Sequence, residues 1–88
     1  MLYRVFTEDK NRRGIKRICN RLFNGYTMYP AQGVWKGVPE KSLCIEVSSG
    51  GQEGYVALRV KTAAEEIKEL NRQEAVLIQE VGCQEVLV

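Results

Sequence analysis

Ser42-Leu43-Cys44-Ile45-Glu46-Val47 alternates cleanly. Leu43, Ile45 and Val47 share one face, and Ser42, Cys44 and Glu46 share the other. A period of two over six residues reads as a strand with one face on a core. Upstream, Tyr26 to Tyr29 reads as an earlier strand interrupted at Pro30, and Gly33 to Lys36 resumes the extended pattern. Gly37-Val38-Pro39 breaks it again, so the two strands form an antiparallel pair. Downstream, Ser48 to Gly54 is the one flexible stretch, and its length suits a loop rather than a domain linker.

The flanks complete the order. Val56, Val60, Ala64, Ile67 and Leu70 recur at helical spacing and predict a helix over 55–70. Asn71-Arg72-Gln73 turns the chain, and Ala75 to Ile78 is a continuous apolar run suited to a buried fourth strand opened by Glu74. Cys83 to Val88 is expected to add an edge strand. At the other end, Leu2 to Phe6 reads as the first strand. Thr7, followed by Glu8 and Asp9, fits a helix cap and an acidic first turn. Ile15, Ile18, Cys19 and Leu22 fall at i, i+3, i+4 and i+7, so a helix is expected over 8–23, stopped by Asn24-Gly25. The order β-α-β-β-α-β is the α+β, ferredoxin-like arrangement, with one antiparallel sheet and one domain over 1–88.

A chain of 88 residues and 10.0 kDa buries only about 60–65% of its unfolded surface. Val34, Trp35, Leu43, Ile45, Val76 and Ile78 are more apolar strand residues than one helix layer covers. Small domains complete such cores by oligomerising, so the open sheet face is expected to pack against other subunits.

Composition removes several function classes. The chain has no histidine, which excludes Ser-His-Asp and Cys-His nucleophile pairs and His-containing metal sites. Cys19, Cys44 and Cys83 show no CxxC spacing and are odd in number, so neither a metal site nor a disulfide framework is expected. Unpaired, apolar cysteines suit a reducing cytoplasm. No run of ~18 apolar residues is present and no signal peptide is expected before the first strand, so no membrane association is expected.

The net charge of +2 supplies no field for a nucleic acid polymer. The charge is uneven: residues 1–44 carry nine Lys/Arg and three acids, and residues 45–88 carry four and eight. Six of the basic residues lie between Lys10 and Arg21. That helix face is either simply solvated or able to touch phosphate.

The middle of the chain is unusual for so small a fold. Tyr26, Tyr29 and Trp35 crowd together with Pro30, Gly33, Gly37 and Pro39. They form either an aromatic mini-core beside a bulged hairpin or a surface where rings stack on a nucleobase and glycines admit a ligand. Glu40 precedes the central strand, Glu46 lies inside it, and Glu74 precedes the last strand. Each carboxylate could hold a cation or act as a base.

The string Gly25-Tyr26-Thr27-Met28-Tyr29-Pro30-Ala31-Gln32-Gly33-Val34-Trp35-Lys36-Gly37, followed by Glu40-Lys41-Ser42-Leu43, resembles a stretch of small PII-like proteins. In particular it is similar to the phage-type S-adenosylmethionine (SAM) lyases and their relatives that cleave the adenylated conjugate SAM-AMP. The resemblance covers about residues 2–80. It implies Tyr29, Glu40 and Glu74 (or Glu80 in its place) as catalytic residues, with Phe6, Thr7, Gly33 and Trp35 binding the adenosine-containing small molecule. It also implies a homotrimer with sites between subunits and a reaction without metal or cofactor. In that reaction the substrate's own carboxylate attacks its γ-carbon and releases homoserine lactone and methylthioadenosine, or the latter's adenylylated form. A non-catalytic PII-like nucleotide binder and a purely structural interaction domain remain the alternatives.

Overall fold

The computed structural model describes residues 1–88. Its elements run β1 (Leu2–Glu8), α1 (Arg12–Leu22), β2 (Thr27–Trp35), β3 (Val38–Ser48), α2 (Glu53–Asn71) and β4 (Leu77–Val81). All strand pairs are antiparallel, in the order β2-β3-β1-β4. This is the α+β, ferredoxin-like βαββαβ arrangement expected from the sequence, with two helices on one face of the sheet.

The core lies between sheet and helices. Tyr3 and Val5 of β1 and Leu43, Ile45 and Val47 of β3 point towards Ile15, Ile18 and Cys19 of α1 and Val60, Ala63, Ala64 and Ile67 of α2. The period-two and period-3.6 patterns therefore meet in one apolar layer. Small residues bring the helices together. At Gly14 an added Cβ would sit 2.8 Å from a methyl of Leu70 on α2.

Several boundaries differ from the sequence expectations, each for a physical reason. β1 continues through Glu8, and Thr7 does not cap α1. Its side chain falls on the buried face, 3% exposed, by strand alternation. The helix starts after Asn11, which adopts a left-handed conformation (φ 58°) that Asn tolerates, while Arg12 grips Asp9 with two hydrogen bonds of 2.6 Å. Pro30 does not interrupt β2. That strand is at the sheet edge, where a residue without an N–H forfeits no ladder bond.

Val38 and Pro39 belong to β3, because the β2–β3 link is a two-residue turn with φ of 51° at Lys36 and 77° at Gly37. Positive φ at both positions is the type I′ geometry that matches strand twist. α2 begins at Glu53, two residues before the expected start. β4 begins at Leu77, so Ala75 and Val76 lead into it and Glu74 occupies a bend. Cys83 to Val88 form no strand. Glu85 there accepts a hydrogen bond from the Ser48 hydroxyl at 2.6 Å.

Candidate functional site

The sheet face away from the helices carries rows of side chains set by register. The first row is Thr27, Glu46, Arg4 and Gln79, taken across β2, β3, β1 and β4. The next row is Tyr29, Cys44, Phe6 and Leu77. Beyond these come Ala31, Ser42 and Glu8, then Gly33 and Glu40, and finally Trp35 and Val38 on the two-stranded ribbon that projects past β1.

The first two rows hold a connected polar array. Arg4 Nε donates to Glu46 Oε2 at 2.8 Å, and the Tyr29 hydroxyl donates to the same oxygen at 2.9 Å. Glu46 Oε1 makes no protein hydrogen bond. The Arg4 guanidinium, and after it the Tyr29 hydroxyl, hold the Glu46 carboxyl below the usual carboxylate range. The neighbouring Cys44 thiol and the Glu46 carboxylate push the Tyr29 phenol well above its ordinary value. Burial raises the Cys44 thiol. The array thus holds a fixed carboxylate, a fixed guanidinium, a neutral phenol and a neutral thiol. Such groups are suited to orienting charge rather than to exchanging protons near neutral pH.

Glu46 also lines a shallow depression of about 920 Å³ with Leu2, Thr27, Gly51 and Leu87. A separate cleft of about 320 Å³ lies between the loop after α1 and the loop before α2, lined by Ser49, Tyr55 and Arg59. None of the catalytic and binding residues implied by the resemblance borders either space.

The predicted residues do not all meet within one chain. Tyr29 joins the array directly, and Phe6 lies in its row on the same face. Glu40 pairs with Gly33, four residues from Cys44 along β3, which is about 13 Å. An added Cβ at Gly33 would approach the Ser42 hydroxyl to 3.1 Å, so a side chain there would crowd Ser42. Trp35 stands at the ribbon tip, 65% exposed, with the Lys36 ammonium 5.8 Å from its ring.

Thr7 lies on the helix side. It donates to Gln73 and accepts from Asn71 at 3.4 Å. Glu74 is exposed beyond that turn. The three central aromatics form no mini-core: Tyr26 packs on Phe23 with centroids 6.4 Å apart, away from Tyr29 and Trp35. Sequence reasoning missed Arg4 and named Glu46 only as one of three candidate carboxylates. A signal existed, since both are charged residues on the non-core side of central strands. Only the β1–β3 register shows that they meet.

Comparison with solved structures recognises this architecture. A phage SAM lyase in its apo state superposes with a TM-score of 0.69 at 20% identity, covering 88% of this chain and 75% of that one. The fold is that of the phage SAM lyase. A de novo designed protein, Foldit4, shares the arrangement with a TM-score of 0.51 at 23% identity, covering 94% of both chains. No protein-family model and no curated protein sequence matches the chain. No helix is long and apolar enough to cross a membrane.

Proposed function

We propose that the protein is a lyase that cleaves SAM, or its adenylated conjugate SAM-AMP, at the bond between sulfur and the γ-carbon of the methionine part. The observation that carries this reading is the Arg4–Glu46–Tyr29 array, set on the open face of a SAM-lyase fold and poised to orient charge without moving protons. The reaction suits such a site. The substrate carboxylate forms the new bond to the γ-carbon, the carbon–sulfur bond breaks, and its electron pair neutralises the sulfonium. Homoserine lactone and a methylthioadenosine product result, with no proton gained or lost. Orientation of an intramolecular reaction of this kind is worth up to about 7–11 kcal/mol.

In this reading Tyr29 orients the reacting end through its hydroxyl. Glu40 and Gly33, about 13 Å along the sheet, take a more distant part of the substrate or reach the site of a neighbouring subunit. Phe6 and Trp35 offer rings for the adenine. Thr7 supports the turn that carries Glu74 rather than touching substrate. The exposed ribbon residues Val34, Trp35 and Val38 and the partly apolar open face favour a homotrimer with sites between subunits. Its free thiols suit a reducing, cytoplasmic setting.

The test is direct. Purified protein is incubated with SAM and with SAM-AMP, and the mixture is resolved by chromatography and mass spectrometry. Homoserine lactone with a methylthioadenosine product from either substrate supports the reading, and Tyr29→Phe should reduce its formation. Retention of both substrates unchanged on the protein overturns it in favour of a nucleotide-binding module. Light scattering checks the trimer, which a purely monomeric mass refutes.

A further inference from the structure

The lyase reading sets Tyr29 at the reacting end of the substrate and leaves open which groups bind the charges of that end. That end carries an ammonium and a carboxylate on one carbon, with a sulfonium three bonds away. Its recognition calls for an anion and a cation held side by side and an apolar or aromatic surface next to them.

The first two rows of the open face have this composition. Glu46 and Arg4 are direct cross-strand partners in the two central strands. Both strong donors on Glu46, Arg4 Nε and the Tyr29 hydroxyl, converge on Oε2. Oε1 therefore keeps its lone pairs, and it belongs to a residue that borders the depression described above. Arg4 uses only Nε in the pair, so both terminal nitrogens are left to donate to one oxygen of a second carboxylate. The adjoining row places the Tyr29 and Phe6 rings beside the pair. Aromatic faces attract cations of this soft, weakly hydrated kind. As a bare surface ion pair, Arg4–Glu46 would add little to stability. A pair in the middle of a sheet face, partly exposed and with one carboxylate oxygen and two guanidinium nitrogens free, has the groups to take a ligand.

Resting on the lyase reading, we propose that Arg4 and Glu46 form the recognition pair for the amino-acid end of the substrate. Glu46 Oε1 accepts from the α-ammonium. The Arg4 terminal nitrogens hold one oxygen of the α-carboxylate and direct the other at the γ-carbon. Tyr29 fixes the Glu46 carboxylate through its hydroxyl and turns its ring to the sulfonium.

The test uses three ligands that this reaction cannot cleave, with binding measured by calorimetry on the full chain. S-adenosylhomocysteine has the ammonium and the carboxylate. Decarboxylated SAM has the ammonium only. Methylthioadenosine has neither. Arg4→Met should weaken S-adenosylhomocysteine about tenfold or more and leave decarboxylated SAM unchanged. Glu46→Gln should weaken both and leave methylthioadenosine unchanged. Circular dichroism and light scattering confirm that each variant keeps fold and assembly. Wild-type affinity for S-adenosylhomocysteine in either variant overturns the assignment, as does equal loss of all three ligands.

Turnover of SAM and of SAM-AMP by the same proteins separates this inference from the reading beneath it. Selective binding losses without wild-type cleavage uphold the pair and sink the lyase. Wild-type cleavage with unchanged variants does the reverse. A wild-type protein that binds none of the three ligands and cleaves neither SAM nor SAM-AMP sinks both.

Discussion

Asn71→Ala is expected to be the most informative single change outside the core. Asn71 is the last residue of α2 and is 2% exposed. Its carbonyl accepts from Asn11 Nδ2 at 2.9 Å, and its own Nδ2 donates to Gln73 Oε1 at 3.0 Å and to Thr7 Oγ1 at 3.4 Å. One side chain thus ties the entry of α1, the end of β1 and the turn after α2. Alanine removes all three contacts. Asn11 and Gln73 can turn towards water, and Thr7 keeps its bond to Gln73. The loss is therefore nearer two net hydrogen bonds than three, about 2 kcal/mol. For a domain of this size that lowers Tm by roughly 8–16 °C.

Urea unfolding followed by circular dichroism, at fixed protein concentration, should show a lower midpoint with an unchanged slope. A change under about 0.5 kcal/mol, the range of an ordinary surface substitution, would refute the reasoning. Thr7→Val is the companion. It should cost about 1 kcal/mol and leave ligand affinity as it was. Wild-type stability with lost affinity would show that the hydroxyl faces a ligand after all.

Three further outcomes follow from the geometry. Gly37→Ala forces a side chain into φ 77° at the hairpin turn; a strain of about 1–2 kcal/mol should broaden amide resonances of residues 32–41, and a spectrum unchanged there contradicts the type I′ turn. Cys83 is exposed, while Cys19 is buried with its thiol pushed up to about 11 and Cys44 is buried and raised; a thiol reagent at pH 8 should therefore modify one cysteine quickly and two only on unfolding, and three fast reactions would contradict the burial. The depressed Glu46 carboxyl contributes stability that is present above the ordinary carboxylate value and lost as pH falls through the lower folded one; a carbon NMR titration of Glu46 with a midpoint at or above an unperturbed glutamate would refute the array.

The element order was readable because each segment carries its own period. Ile15, Ile18 and Cys19 mark one helix stripe, and Leu43, Ile45 and Val47 mark one strand face. Pro30 misled because a proline breaks a central strand but not an edge, and edge position is a property of the whole sheet. Thr7 misled because a cap signature and the buried end of a strand look alike until the strand's extent is known. The candidate site was half legible. Tyr29 stood out by its setting among glycines and prolines. Arg4 did not, because its partner Glu46 lies 42 positions away and the pairing depends on register alone. Glu40 and Tyr29, close in sequence terms, are kept apart by the rigid extension of a strand.

The position of β1 has a consequence for how the chain is made. Of the four strands, the first to be synthesised lies between β3 and β4, and its second partner is the last of the four to be made. Emerging from the ribosome, β1 can pair with β3 once the hairpin has formed, but its other edge stays open until Leu77 to Val81 appear. Pairings of such long sequence separation form slowly. A message truncated before Leu77 would yield a three-stranded intermediate whose bare central strand invites another nascent chain to complete it.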